Sequence, residues 1–204
     1  MGMRTTSKGE ASRGRLLAAA VQIFAAKGYH QAKISEIVKA AGLTQAAFYL
    51  YFSGKEAIYE QLKREFRERL RRMTRELGAS VTPLPPEEVP EQIRKNLREL
   101  FSFFAENREY ALFAFREMED SGELLQELAR IVGRNLENNR RAGHLRGDLA
   151  ADVAADCLVG AVDRVVRRWL LTKEKPPEEL AELTADFVAG GILKPIGPRQ
   201  GGEA

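Results

Sequence analysis

Two short helical segments flanking Ala41-Gly42-Leu43 constrain this chain more than any other feature. In ISEIVKAAGLTQAAFYLYF, residues Ile34, Ile37, Val38 and Ala41 recur with the period of an amphipathic helix that stops at Gly42. Thr44 then offers an N-cap, with Leu43 before it and Phe48 placed to close a hydrophobic staple. A second short helix therefore runs from Gln45 to about Tyr51. Helices this short are unstable alone and need a further apolar face to cover theirs. Leu16, Leu17, Ala20, Ile23 and Phe24 supply it from an upstream helix that ends with a basic Lys27 and a left-handed stop at Gly28. The three together read as a helix-turn-helix. Phe48 and Phe52 face inward, which leaves Gln45, Ala46, Tyr49 and Leu50 nearer the outside.

That outer face has the chemistry of a major-groove reader. Small residues at its start allow close approach, and the Gln45 amide can hydrogen-bond a base, most naturally adenine. Tyr49 and Tyr51 offer hydroxyls to phosphate, and Lys55 offers a charge at the start of the next helix. The charge distribution agrees. Residues 1–56 carry eight basic and three acidic side chains, a balance of +5, while the remainder carries 24 basic and 26 acidic ones. A basic head on a mildly acidic body suits a polyanion at the head alone. A packed helical hairpin without a ligand is the alternative reading of the same spacing.

Everything periodic beyond this point is also helical. A long helix from about Lys55 to Leu77 carries Ile58, Leu62, Phe66, Leu70, Met73 and Leu77 on one stripe. Four prolines in Gly78–Pro90 predict a loop. Further helices are expected over Glu91–Glu106, Arg108–Met118, Ser121 to about Ala142, Ala150–Leu171 and Pro177 to about Ala189, before a Gly/Pro-rich tail. The fold class is all-α: an N-terminal three-helix helix-turn-helix domain (1–56), joined by a long helix to a C-terminal helical bundle (57–194), with a flexible tail at 195–204.

The C-terminal half is less specific. Phe101, Phe103, Phe104, Phe113 and Phe115 are five of the ten phenylalanines, within fifteen residues, and one helix stripe cannot bury Phe101, Phe103 and Phe104 together. Some of these rings must face a second surface, either another helix or a largely apolar ligand pocket. Candidate pocket residues are Phe101, Phe104 and Phe113, with Asn107, Arg116, Asn135 and Asn139 as polar anchors; each polar group reads more readily as a surface or helix-end residue than as a ligand contact. His30, His144 and the single Cys157 are too scattered for a metal cluster or a nucleophile–base pair. No cofactor motif is present, and no catalytic constellation appears. There is no membrane-length apolar run and no signal-peptide pattern, and the Met1–Thr6 match to a myristoylation motif is of the kind that arises by chance. The expectation is a cytoplasmic, non-enzymatic protein without a metal or cofactor.

The stretch Arg15–Ile58 resembles the DNA-binding domain of the tetracycline-repressor (TetR) family, through Gly28-Tyr29, Ala41-Gly42-Leu43 and Tyr49-x-Tyr51-Phe52-x-x-Lys55. The resemblance implies a homodimer on palindromic double-stranded operator DNA, paired through the last two helices, with Val165, Trp169, Leu183 and Phe187 as the expected interface. It also implies release by a small hydrophobic effector, for which a fatty acyl-CoA is the leading analogy. Carried over by position, Gln45, Ala46, Ala47 and Tyr49 would face bases, Tyr51 and Lys55 would hold phosphates, and Lys33, Ser35 and Thr44 would complete the interface. Three departures bear on the operator, one being Leu50, which stands where a His or another polar residue is frequent. Lys33 stands where a capping Ser or Thr is usual, and Ala46-Ala47 replaces a pair that normally brings a hydroxyl. A constitutive DNA-binding protein, or a helical lipid-binding protein or enzyme, are the competing readings.

Overall fold

The computed structural model describes residues 8–117 and 121–193. Apart from an isolated antiparallel bridge between Leu145 and Leu193, regular structure among the described residues is helical. The elements are α1 (Lys8–Gln31), α2 (Ile34–Ala40), α3 (Gln45–Tyr49), α4 (Lys55–Ala79), α5 (Val89–Glu106), α6 (Arg108–Glu117), α7 (Ser121–Arg141), α8 (Ala151–Val165) and α9 (Pro177–Ile192). The proline segment is shorter as a loop than its composition suggested. Alpha-helical bonding persists to Ala79 and resumes at Val89, because Pro90 falls in the first turn, where its missing N–H costs nothing.

The chain divides into two compact units, and neither boundary falls at residue 56. The first comprises the chain through Leu70 together with Glu106–Gly122; the second comprises Arg71–Ala105 and the chain from Glu123 onward. The shift has a packing cause. The stripe of α4 that includes Ile58 and Leu62 is needed to close the core of α1–α3, and α6 packs against α1.

In the first unit the fully buried side chains Leu16, Phe24, Ile37, Phe48, Ile58, Leu62 and Phe113 form one cluster. Phe113 lies 5.8 Å from the ring of Phe24 and 5.2 Å from that of Tyr59, so it completes this core. It is thus packed apart from Phe101 and Phe104, the other aromatic residues expected to line a pocket, which belong to the second unit. Aromatic spacing locates the buried face of a helix but does not say which helix covers it.

In the second unit Leu136, Leu145, Ala155, Val188 and Ile192 form a core beside α5, whose buried face presents Val89, Phe101 and Phe104. Polar side chains stitch its helices together. Asn96 Nδ2 donates to the Leu77 carbonyl at 2.7 Å, and Asn135 Nδ2 to the Thr74 carbonyl at 3.2 Å, so amides from α5 and α7 both hold the end of α4. Asn135 lies so close over Gly78 that a Cβ there would sit 1.8 Å from its amide nitrogen. Arg94 and Arg98 of α5 pair with Glu182 of α9. The expected continuous helix to Leu171 ends differently: Val166–Leu170 is a π-helical turn, with Leu171 N–H bonded to the Val166 carbonyl at 2.9 Å. Nothing in VVRRWLL distinguishes the two windings by composition.

Candidate functional site

The recognition element is built from its ends inward. Glu36 accepts a hydrogen bond from the Lys33 N–H at 3.2 Å, closing half of a capping box; the Lys33 ammonium has no acceptor with which to close the other half. Thr44 caps α3, its hydroxyl accepting from the Ala47 N–H at 3.1 Å. Between the two helices Gly42 adopts φ 63°, a left-handed conformation that suits glycine. Arg15 reaches this turn from α1, its guanidinium 3.9 Å from where a Cβ on Gly42 would lie. Phe48, fully buried, and Phe52, nearly so, anchor one side of α3 in the core.

The opposite side is open. Gln45 and Ala46 are exposed, Tyr49 is 57% exposed and Leu50 is 80% exposed. Lys33, Ser35 and Thr44 are also exposed, while Ala47 and Tyr51 are half-buried. The sequence-derived residues are thus exposed or half-buried, and one of them is engaged within the protein. Lys55 turns inward. Its amino group donates to the carbonyls of Tyr29 at 2.7 Å, Ala32 at 3.0 Å and His30 at 3.4 Å, and lies 4.4 Å from the centre of the Tyr29 ring. An ammonium has three N–H groups and all three have acceptors here, so no donor is left for a phosphate. In this structure Lys55 serves instead as a clamp on the end of α1. Sequence reasoning also passed over Arg15, whose approach to the turn depends on how α1 crosses α2.

The expected regulatory residues are dispersed. Phe101 and Phe104 are buried in the second unit, whereas Phe113 is in the core of the first. Asn107 precedes α6, its carbonyl accepting the Ala111 N–H at 2.9 Å, and belongs to the first unit. Arg116 lies on α6, with its side chain, like the tail 195–204, outside what the structure describes. Asn135 is engaged at α4; Asn139 donates to the Asn135 carbonyl at 2.8 Å, but its buried Oδ1 has no partner. A different concavity lies between α7 and α8 within the second unit: an open cleft of roughly 890 Å³ lined by Arg130, Arg134, Arg141, Asp152 and Asp156 among others. It is charged, not aromatic. On its rim Arg140 and Arg141 hold the Glu137 carboxyl down at about 2, the Arg140 bond contributing most.

On the last two helices Leu183 is 57% and Phe187 74% exposed, as an unpaired apolar face would be; Val153 of α8, which sequence reasoning missed, is likewise exposed. Val165 and Trp169 are half-buried instead. Trp169 packs under the Arg168 guanidinium at 4.4 Å, a placement fixed by the π-helical turn.

Comparison with known proteins agrees with this geometry. Residues 16–62 match the sequence pattern of bacterial regulatory proteins of the tetR family. The helix-turn-helix transcriptional regulator YdgC of Bacillus subtilis is 36% identical over 187 residues, covering 92% of this chain and 95% of that protein. Among solved structures, the fatty acid degradation regulator FadR of Bacillus halodurans superposes with a TM-score of 0.70 at 25% identity, covering 91% of this chain and 98% of that one. FadR of B. subtilis in complex with stearoyl-CoA gives 0.68 at 24% identity, with 88% and 99% covered.

Proposed function

The chain belongs to the TetR family of bacterial transcriptional regulators, and from that premise we propose that it is a ligand-gated repressor acting as a homodimer on palindromic operator DNA. The observation that carries the reading is the exposed strip Gln45-Ala46-Tyr49-Leu50 on a short helix anchored by Phe48 and flanked by Lys33 and Ser35. Gln45 would read a base edge, Ala46 and Ala47 would let the backbone approach, and Thr44, Tyr49 and Tyr51 would complete the contacts with Lys33 and Ser35. One short recognition helix reads only a few base pairs, so useful affinity calls for two copies in successive major grooves, about 34–36 Å apart. The exposed Leu183 and Phe187 supply an apolar face for that pairing.

Helix α4 suits the role of lever. It is unbroken from Lys55 to Ala79, clamped to the end of α1 by the Lys55 amino group and gripped at its far end by Asn96 and Asn135. A ligand that alters the amide grip can shift the far end, and a continuous helix transmits the shift. Favouring the misaligned arrangement by about 3 kcal/mol would weaken operator binding roughly a hundredfold, and DNA must weaken ligand binding by the same factor.

A fatty acyl-CoA is the effector we favour. A related fold binds stearoyl-CoA, Phe101 and Phe104 make the interior of the second unit apolar, and a charged cleft with three arginines in its lining lies in the same unit. Protein action in the cytoplasm follows from this reading. The test is operator affinity measured against a panel of acyl-CoAs, free fatty acids and drug-sized apolar molecules. Release by a long-chain acyl-CoA is the expected result. Tight binding with unchanged operator affinity, or no binding by any member, removes the effector assignment and leaves a constitutive DNA-binding protein.

A further inference from the structure

We propose that Leu50 is a specificity-determining residue that reads the C5-methyl group of thymine in the major groove. The proposal rests on the DNA-binding reading above and names what the recognition strip selects. Leu50 is 80% exposed, more than the other large apolar residues exposed among the described ones. A lone exposed leucine is ordinary. This one is not alone, because Gln45, Ala46, Tyr49 and Leu50 lie at i, i+1, i+4 and i+5, and all four are exposed. Leu50 follows the last residue of α3 with φ −70° and ψ −23°, so the helical register continues through it and its side chain stays on that strip. The adjoining face is held by the buried Phe48 and Phe52, which prevents the strip from rolling inward to hide Leu50.

The occupant follows from complementarity. The first 56 residues carry a balance of +5, and Lys33 at the N-cap of α2 and Lys39 on it are exposed, which suits a phosphate-rimmed groove. Within the strip, Gln45 and the Tyr49 hydroxyl can hydrogen-bond, whereas Ala46 and Leu50 cannot. The largest apolar group that a base presents in the major groove is the thymine methyl. A leucine has no donor for phosphate and no acceptor for a base amine. Packing against a methyl is the contact that removes water from both partners. Gln45 and Leu50 together therefore select A·T pairs, one through hydrogen bonds and one through the methyl.

The experiment uses the full chain and one chemical change in the DNA. Duplexes enriched from a random library are resynthesised with deoxyuridine replacing each thymine in turn, which deletes the methyl and keeps every hydrogen-bonding edge. For the natural protein, at least one replacement per half-site should weaken binding about fourfold, the value of one buried carbon. For Leu50→Ala the same replacement should have no effect, while thermal melting of the protein is unchanged because the side chain is solvated. If no replacement is sensitive to Leu50→Ala although the enriched duplex is bound specifically, the methyl assignment is overturned and the DNA-binding reading stands. If Leu50→Ala weakens thymine and deoxyuridine duplexes equally, Leu50 packs on sugar or phosphate and the assignment is again overturned. Failure of the library to enrich any sequence would overturn the DNA-binding reading itself, and this proposal with it.

Discussion

The buried polar side chains among the described residues, Asn139, His144 and Thr184, all lie in the second unit; the cluster that forms the core of the first is wholly hydrophobic and rich in aromatic rings. In the first unit polar groups work at the edges: Thr44 caps α3, Glu36 caps α2, and Lys55 closes the end of α1. In the second they bind helix to helix, as Asn96 and Asn135 do on α4, and two buried acceptor positions, Asn139 Oδ1 and His144 Nδ1, have no partner. A core of interlocked rings has one good arrangement. Amide contacts between helices can be exchanged for others at small net cost, since a neutral hydrogen bond contributes only about 0.5–1.5 kcal/mol. The first unit is thus held by ring packing, and the second in part by amide hydrogen bonds between helices.

The sharpest way to break this contrast is Phe113→Ala. If the ring completes the first core, its loss should cost about 3–5 kcal/mol in urea unfolding and speed amide exchange around Phe24. Unaltered exchange in α1 would return α6 to the regulatory half. Lys55→Met comes next. Removing three charge-assisted bonds to carbonyls should cost roughly 2 kcal/mol and weaken operator binding, while the slope of log affinity against log salt stays that of the natural protein. A slope reduced by about one unit would restore the phosphate role.

In the second unit Gly78→Ala drives a methyl into Asn135 and should cost about 1–3 kcal/mol. Because the displaced group grips α4, operator affinity should fall without added effector. Destabilisation with operator affinity intact would separate the amide grip from the lever. The smallest effect is expected at Glu137. Its carboxyl, held near 2 by Arg140 and then Arg141, contributes stability that is fully present above the ordinary carboxylate range and is lost as pH falls toward 2. Both partners are solvated, so the change should be slight. NMR titration of Glu137 in an Arg140→Ala background should find it moved upward, and no movement would assign the depression to another cause.

The two units also differ in how far their sequences could be read. Thr44, Gly42 and Phe48 announce α3 because capping, a left-handed turn and a staple are local events within a few residues. The same locality made the outer strip legible, since a helix that turns Phe48 inward must turn Ala46 and Leu50 out. Lys55 escaped because its acceptors at Tyr29, His30 and Ala32 are more than twenty residues away along the chain. Phe113 escaped for the same reason: the periodicity of α6 defines an apolar face, but Phe24 and Tyr59 are brought to that face by the packing of α1 and α4.

By itself, then, the sequence determined the helices, the turn at Gly42, the composition of the recognition strip and the family. Each of these rests on period, capping or a backbone conformation that neighbouring residues impose. Tertiary structure alone decided that α6 belongs with the DNA-binding unit, that Lys55 clamps α1, that Asn135 occupies the space over Gly78, and that a π-helical turn containing Trp169 follows α8. Those outcomes depend on which surfaces meet, and hydrophobic burial, being non-directional, rewards any apolar partner until the whole chain has chosen one.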